Sequence, residues 1–419
     1  MTKKQIEGRF KRLESALIPY TDTPDEATAS VKELYTLYDG ACLRWLGGLF
    51  DKEIGGFYYS NSARDGDEFF PDIESTGQAI GLLEHTGAIS NYTDIPDWMR
   101  SRIACFICSC EDPENGFFYN PQWSKEQTDE KLQRRNRDTR WAVELAAMCN
   151  FKIPYPTASS RLHADRDSSV LDYLKSEETL VAKLSSLDWE SHVYPSMSWL
   201  ASQIDLVIDA GFGQIALDHI ASLRDPITGL WGEGSVDNVK KMKTLGGAAA
   251  IYREMRTPMP MSEALSDFIF TCFDSDYSSD IAFVCARWTA LSIIVNLLVK
   301  YGDKESVRIA RNIIRRTVDN LDHLIKRTYS ALSLFKKPDG SFSYTRSGSS
   351  PTSQSMVVAK AGSNEGDVNA TILATGVPRK ILSIITLSDD PIPVFSTEDV
   401  AAFYLAAQGI DTDYSRSDQ

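Results

Sequence analysis

Two acidic segments at distant points of the chain carry residues that could perform acid–base chemistry. Glu74 and Gln78 are four positions apart, so a helix would place the carboxylate and the amide on one face. Asp367 and Asn369 follow Glu365 with a similar combination of groups. Two carboxyl groups at a set separation are what acid–base cleavage of a glycosidic bond requires. We therefore expect Glu74 and Asp367 to be catalytic. The residues expected to bind substrate beside them are Gln78, Glu365 and Asn369.

A third segment begins at Asp138, a further candidate acid. Arg140 and Trp141 follow it and could hold a ligand by charge and by ring stacking. A structural interpretation is also open, because Arg140 lies one helical turn from Glu144 and could simply pair with it. Trp141 could likewise pack in the core. The position of this segment, which matches that of the first two, favours a functional interpretation.

A fourth segment gathers an aromatic ring, an acid and an imidazole within a few residues. Trp189 and Glu190 precede His192, and Tyr194 follows it. An unperturbed histidine has a pKa of about 6.5, which suits proton transfer near neutral pH. We expect Glu190 and His192 to take part in catalysis and Trp189 to contact the substrate, although a purely structural role is the alternative.

A recurring turn shows which elements must position these segments. Four times an Asp or Pro leads within a few residues to a Gly and then an aromatic residue, a pattern typical of tight turns in which Gly supplies a positive φ. The four turns are Asp51–Phe57, Asp112–Phe117, Asp225–Trp231 and Lys337–Phe342. After each turn comes a polar stretch and then a helix rich in small residues. Such internal repetition indicates helical hairpins that bury their apolar faces by packing on one another.

The repeats predict an all-α chain of six helical hairpins closed into an (α/α)6 toroid with short β-like turns. The outer helices are expected near residues 31–50, 97–111, 168–186, 212–223, 262–273 and 304–335. The inner helices are expected near residues 72–86, 138–150, 195–210, 242–256, 280–300 and 366–386. Small residues would let the inner helices approach closely, and their N-termini would converge on one mouth. Simple N-capping is the alternative explanation for Asp72 and Asp138.

Charge and cysteine usage restrict the function classes. The formal net charge of −14 argues against a nucleic-acid partner, since a phosphate-binding surface would be basic. A small molecule or uncharged oligosaccharide fits better. The seven cysteines are an odd number and lie mostly in apolar stretches, which favours reduced thiols in the cytoplasm.

No metal or cofactor is expected. The spacing of Cys105, Cys108 and Cys110 resembles part of a metal site, but no second Cys or His pair lies nearby, which favours core cysteines. The glycines from Gly246 lack the strand and the Gly-Lys-Ser/Thr of a phosphate loop. Nucleophile-elbow, HExxH and dinucleotide motifs are also missing from the sequence.

The organisation expected is one domain over residues 1–419, with an N-terminal extension over 1–20 and a disordered tail over 411–419. The first residues lack the apolar run of a signal peptide. The longest apolar run, Thr289 to Val299, is too short to span a membrane. Residues 344–364 lack periodicity and are rich in Ser, Gly and Thr. They are interpreted either as a lid over the mouth or as a flexible loop. The sequence leaves the oligomeric state open.

The repeats also resemble known families. The segment from Phe50 to Tyr59 resembles the opening turn of N-acylglucosamine 2-epimerase-like and six-hairpin glycosidase proteins. Lys337–Phe342, followed by Glu365–Thr371, resembles the repeats of terpenoid cyclase and protein prenyltransferase toroids. Both resemblances imply the (α/α)6 toroid. They do not by themselves give a function.

The leading expectation is a carbohydrate-active enzyme: a glycoside hydrolase, lyase or sugar epimerase. Its acids would be Glu74, Asp138, Glu190 and Asp367, with His192 as a proton carrier. Trp141, Trp189 and Trp231 would form an aromatic platform, and Lys243, at the start of the fourth inner helix, would also bind substrate. The alternatives are a terpenoid cyclase-like or prenyl-binding toroid with an apolar pocket, and a non-catalytic scaffold.

Overall fold

The chain is mostly helical, which confirms the all-α class predicted from the sequence. The structure is a computed structural model, and it describes residues 1–164, 171–232, 236–275, 280–388 and 390–410. The helices of the first half are α1 (Lys3–Leu17), α2 (Pro24–Tyr35), α3 (Gly40–Gly48), α4 (Asn61–Arg64), α5 (Ile73–His85), α6 (Asp97–Ser109), α7 (Lys125–Glu130), α8 (Leu132–Met148), α9 (Ala158–Ala164) and α10 (Glu177–Ser185).

The second half continues in the same manner and contains one small hairpin. Its helices are α11 (Val193–Asp209), α12 (Gly213–Ser222), α13 (Asn238–Glu254), α14 (Ser262–Asp274), α15 (Ile281–Tyr301), α16 (Lys304–Asp319), α17 (Leu321–Ser333), α18 (Val368–Thr375), α19 (Val377–Thr386) and α20 (Thr397–Ala407). Between α17 and α18, the two-residue strands β1 (Thr352–Ser353) and β2 (Met356–Val357) pair antiparallel. Part of the expected outer helix at 168–186 lies outside the described residues, and so does the expected disordered tail.

The helices expected to be inner pack in chain order. Helix α5 packs against α8, α8 against α11, α11 against α13, α13 against α15, α15 against α18, and α18 against α5. Close approach depends on small residues, as between α5 and α8. A Cβ added at Gly77 would lie 2.4 Å from the ring of Trp141, so only glycine admits the indole there. Trp141 therefore serves helix packing.

Several helix boundaries differ from the sequence expectation for local reasons. Helix α8 begins at Leu132, before the expected start at 138, because Arg134 and Asp138 form an ion pair within the helix that supports its first turns. The expected helix 366–386 is divided into α18 and α19, since Pro378 cannot donate a hydrogen bond to the carbonyl of Ala374. The Tyr38 hydroxyl donates to that carbonyl at 2.9 Å.

Two expected outer helices are also divided. The helix expected at 31–50 breaks where Asp39 caps α3 by accepting from the Ala41 amide at 3.0 Å. The helix expected at 304–335 divides into α16 and α17 at Asn320, whose side chain donates to the Arg316 carbonyl at 2.9 Å. The expected N-terminal extension is helix α1, which packs against α2 and α19.

Three of the four Gly-aromatic turns share one hydrogen-bond pattern, and all four contain a glycine with positive φ. In the first, the Asp51 carboxylate accepts from the amides of Glu53 and Ile54, and Gly55 adopts a positive φ of 96°. Asp112 and Asp225 accept from their own turns in the same way. Gly116, Gly229 and Gly340 also have positive φ. The repetition inferred from the sequence therefore corresponds to a repeated local structure.

Three of these turns are joined through a threonine hydroxyl to the next long helix in the chain. The Phe57 amide donates to Thr76, the Phe118 amide to Thr139 and the Phe342 amide to Thr371, at 3.0, 3.2 and 3.0 Å. Each threonine hydroxyl in turn donates to a main-chain carbonyl four residues earlier in its helix. The hydroxyl thus satisfies a turn amide and fixes the turn against the start of the helix.

Helix α15 is longer and more apolar than we expected from the sequence. Its 21 residues pass, by length and composition, as a possible membrane span, contrary to the expectation that no run is long enough. Within its most apolar window, 78% is buried inside the protein, as in a core helix. The fully buried Arg287 of this helix donates to the Cys272 carbonyl at 3.0 Å.

We predict that Thr371→Val will destabilise the protein by about 1–3 kcal/mol, because the buried Phe342 amide loses its acceptor while the side-chain shape is kept. Urea unfolding followed by circular dichroism measures the change. Thr36→Val is the matched control, since Thr36 is exposed at the end of α2. Equal stabilities of the two variants would contradict the role assigned to this hydroxyl.

Candidate functional site

The starts of α5 and α8 meet at a fully buried arginine. The Arg134 guanidinium donates to Asp72 at 2.9 Å, to Glu74 at 3.0 Å and to Asp138 at 2.9 Å. Asp72 is also the N-cap of α5 and accepts from the Ser75 amide at 2.8 Å. One guanidinium therefore binds three carboxyl groups from α5 and α8, away from solvent.

Glu74 is the most extensively hydrogen-bonded acid of this group. Besides Arg134, it accepts from Arg137, from the Ser353 hydroxyl at 2.8 Å and from Gln78 Nε2 at 3.1 Å. Burial by itself would raise the pKa of Glu74, but the charges of Arg137 and Arg134 hold it below its usual value. Glu74 is therefore an ionised carboxylate at neutral pH.

The pKa of Asp138 is shifted in the opposite direction to that of Glu74. Burial raises its pKa to about 7, although the adjacent Arg134 acts to lower it. Its Oδ2 accepts from Arg134, while Oδ1 is buried without a hydrogen-bond partner. Asp138 can thus carry a proton near neutral pH while Glu74 does not.

Helix α18 brings a second acid of this kind beside α5. Asp367, fully buried, caps α18 by accepting from the Ala370 amide at 2.7 Å and from the Tyr344 amide at 3.0 Å. Burial raises the pKa of Asp367 to about 7 against the lowering effect of those amides. Gln78 Nε2 bridges the two helices by donating to Asn369 Oδ1 at 3.0 Å.

Two buried polar groups, the Tyr59 hydroxyl and the Gln78 amide, lie next to these acids. The Tyr59 hydroxyl interacts with the Asp367 carboxyl. Burial and the nearby charges of Asp367 and Glu74 raise the pKa of Tyr59 well above its usual value. Gln78 Oε1 is buried without a partner. A buried acceptor of this kind is normally satisfied, so a donor group of a ligand could bind there.

The starts of α11, α13 and α15 contribute a second group of side chains. Lys243 of α13 forms an ion pair with Asp280, the N-cap of α15, and lies 5.5 Å from the ring centre of Tyr194 in α11. Burial raises the pKa of Tyr344, as do the charges of Asp280 and Asp367. Tyr344 therefore lies between this group and the acids of α5 and α18.

The loop over residues 344–364 is anchored across the site. Ser353 in β1 donates to Glu74, and the Val357 carbonyl accepts from Gln122 at 2.8 Å. Glu365 follows the loop and accepts from the Ser60 hydroxyl at 2.8 Å and the Ser62 amide at 2.8 Å. Of the two interpretations made from the sequence, this placement favours a lid, because the loop covers Glu74.

The structure brings together part of the expected site. Glu74, Gln78, Asp138, Asp367 and Asn369 belong to the group around Tyr59 and Arg134. Lys243 lies in the adjoining group around Tyr344, and Glu365 anchors the loop rather than pointing to the acids.

The other expected residues lie elsewhere. Glu190 and His192 are exposed, and His192 Nδ1 bonds to Asp188 at 2.7 Å. Trp189 packs edge-on against His219. Trp231 is buried in the core, where its ring nitrogen donates to the Ile220 carbonyl at 2.7 Å. These side chains were grouped from their position in the repeat, which fixes the backbone but not the direction of a side chain.

Arg140 and Trp141 also point away from the acids. Trp141 packs on Gly77, as described above, and Arg140 bonds to Glu144 at 2.9 Å on another face of α8. The aromatic side chains near the acids are instead Tyr59 and Tyr344.

Sequence reasoning missed the cation that organises the acids. Arg134 lies four residues before Asp138, a spacing that predicts a helical ion pair and was available in the sequence. Its contacts to Asp72 and Glu74 join residues 62 and 60 positions apart, which no local pattern reveals. The approach of Ser353 to Glu74 is a longer-range contact still.

Comparison with known proteins gave no relationship. No family model, curated protein or solved structure matches the chain. All seven cysteines are free thiols, and the described residues contain no group of three His, Cys, Asp or Glu side chains that could hold a metal ion.

We predict that Arg134→Met will destabilise the protein by about 3–5 kcal/mol, because three buried carboxyl groups lose their shared cation. Urea unfolding at neutral pH measures the loss. Arg308→Met is the control, since Arg308 pairs with Glu305 at the surface. If the two variants lost similar stability, the buried network would not be the stabilising element inferred here.

We also predict that Asp367 makes the protein less stable as the pH rises. Its pKa is about 7 in the folded state and about 3.8 when exposed, so the folded state binds the proton more tightly. This proton binding favours folding in acid, and the advantage is lost as the pH rises from about 4 to about 7. The unfolding free energy of the wild type, relative to Asp367→Asn, should fall over that interval. A constant difference between the two proteins would disprove the raised pKa.

Proposed function

We propose that this chain is a carbohydrate-active enzyme whose substrate binds at the N-terminal ends of the inner helices. The observation that carries the proposal is an ionised Glu74 near a protonatable Asp367, with the unpaired Gln78 Oε1 and the Tyr59 hydroxyl beside them. Environments that drive two carboxyl pKa values apart are how one site holds both an acid and a base.

The two acids divide the chemistry in a definite way. Asp367, protonated near neutral pH, would give its proton to a leaving or ring oxygen. Glu74, held ionised by Arg134 and Arg137, would accept a proton or stabilise developing positive charge. This division is compatible with a hydrolase, a lyase or an epimerase, which differ in the bond that breaks next.

The polar groups favour a sugar over an isoprenoid. A sugar hydroxyl could donate to Gln78 Oε1, which has no partner within the protein. An isoprenoid has no such donor and would leave this atom unpaired. The tyrosine rings at this end could contact a sugar face. A terpenoid cyclase-like pocket is therefore the weaker proposal.

We also propose that the helices form a closed (α/α)6 toroid. The support is the cyclic packing order in which α18 returns to contact α5, so that six inner helices each have two inner neighbours. The convergence of groups from α5, α8, α11, α13, α15 and α18 at one end is what such a ring would produce.

A non-catalytic scaffold is the second candidate, and one observation favours it. Arg134 already binds three carboxyl groups, and Asp72 and Asp367 already cap their helices. Acids that are committed to caps and ion pairs can serve stability alone. The two candidates differ in whether any substrate is turned over.

We predict that Glu74→Gln and Asp367→Asn will each lower turnover at least about hundredfold against the best substrate in a panel of aryl glycosides, polysaccharides and reducing sugars. Product formation is followed by chromatography. Both variants keep side-chain size, and Asn also caps helices well, so thermal unfolding should confirm that each is folded.

Glu190→Gln is the matched control and should keep wild-type activity, because Glu190 is exposed outside the site. Wild-type turnover in both site variants would remove Glu74 and Asp367 from the mechanism. Neither binding nor turnover of any sugar by the wild-type protein would reject the enzyme proposal and favour a scaffold.

A further inference from the structure

We propose that a groove between α8 and α11 binds a small aliphatic amine. The groove has a volume of about 330 Å³. The lining residues used in the argument are Asn136, Arg140, Val143, Glu144, Asp205 and Glu254. They lie apart from Glu74 and Asp367, so the proposal does not depend on the proposed sugar chemistry.

The groove carries more negative than positive charge. Arg140 bonds to Glu144 at 2.9 Å, to Glu254 at 3.3 Å and lies 3.5 Å from Asp205. Arg140 thus faces three carboxylates from three helices, and Arg253 also binds Glu254 at 2.7 Å, so three acids share two guanidinium groups. Each of these acids is partly exposed, with side-chain exposures between 25% and 46%, so a ligand can reach them.

The helix directions add to this charge. Asp205 lies one turn before the end of α11, and Glu254 is the final residue of α13. The C-terminal end of a helix carries partial negative charge from its unpaired carbonyls, which favours a cation. Acids placed there are the reverse of the usual helix arrangement, so a bound cation would relieve an unfavourable interaction.

A buried acceptor in the groove wall points to a hydrogen-bond donor in the ligand. Asn136 is 5% exposed, and its amide nitrogen donates to Gln203. Its Oδ1 is buried without a hydrogen-bond partner. An ammonium group has three donors and no acceptor, so it could satisfy Oδ1 and a carboxylate together.

The remaining lining suits an alkyl chain. Phe117 and Leu206 form apolar wall, and Val143 is 43% exposed beside them. The volume lies at the lower end of the roughly 300–1,000 Å³ typical of small-molecule sites. A metal ion is disfavoured, because among the described residues no three acidic, His or Cys side chains converge as ligands.

Isothermal titration with cadaverine, a five-carbon diamine, tests the proposal at low ionic strength. We expect saturable binding that weakens when salt is added, since the interaction is electrostatic. The diol of the same chain length should not bind. Absence of cadaverine binding, or equal binding of the diol, would overturn the proposal.

Variants locate the site. Asp205→Asn should weaken binding about tenfold, the order expected for loss of one charged hydrogen bond. Asp172→Asn is the matched control, because Asp172 is exposed at 90% and pairs only with Lys175 among the contacts described. Val143→Trp, a change at an exposed position, should fill the groove and abolish binding. If both groove variants bound cadaverine like the wild type, the amine site would not be here.

A parallel titration distinguishes the sources of such a group. Binding of cadaverine but not of Nα-acetyl-lysine amide would identify a free amine as the ligand. Binding of both would identify a group that a peptide lysine can also supply. Either result supports the alkylammonium site, and the readout is binding alone, so it is independent of catalytic turnover.

Discussion

The ion pairs of the buried Arg134 are the interactions on which the rest of the site depends. A guanidinium without solvent must have its charge matched, and Asp72, Glu74 and Asp138 supply that match from two helices. Together with Arg137, the group holds two cations and three acids. The pKa of Asp138 is raised to about 7, so this acid can be neutral. The two arginines then face two ionised carboxylates, those of Asp72 and Glu74. The ion network thus fixes how α5 and α8 meet and leaves Glu74 ionised.

The turn threonines explain how a repeated sequence produces a repeated geometry. A turn amide such as that of Phe57 would be buried without an acceptor, which costs free energy. The hydroxyl of Thr76 supplies the acceptor and so ties the turn to the start of its helix. Thr371 does the same for Phe342. Because the starts of α5, α8 and α18 are each fixed to a turn, the positions of the acids at those starts are fixed as well.

Much of the fold followed from the sequence, but only part of the site did. Turn spacing and small residues predicted the inner helices because both depend on local physics. The same reasoning placed Glu74 and Asp367 together, since each lies at a helix start. It misplaced His192 and Trp231, because the repeat fixes where the chain runs and not whether a side chain faces solvent or core. Contacts such as Ser353 to Glu74 depend on the path of a long loop, for which the sequence has no periodic signal.

The loop contact also connects access to chemistry. While Ser353 donates to Glu74, one lone pair of the carboxylate is occupied and the site is closed. Displacement of the loop would remove that donor, so a substrate hydroxyl must replace it or the pKa of Glu74 rises toward its ordinary value. A ligand with a hydroxyl at this position would therefore restore the lowered pKa that the closed protein maintains. A hydrocarbon could not do so, which agrees with the sugar proposed above rather than an isoprenoid.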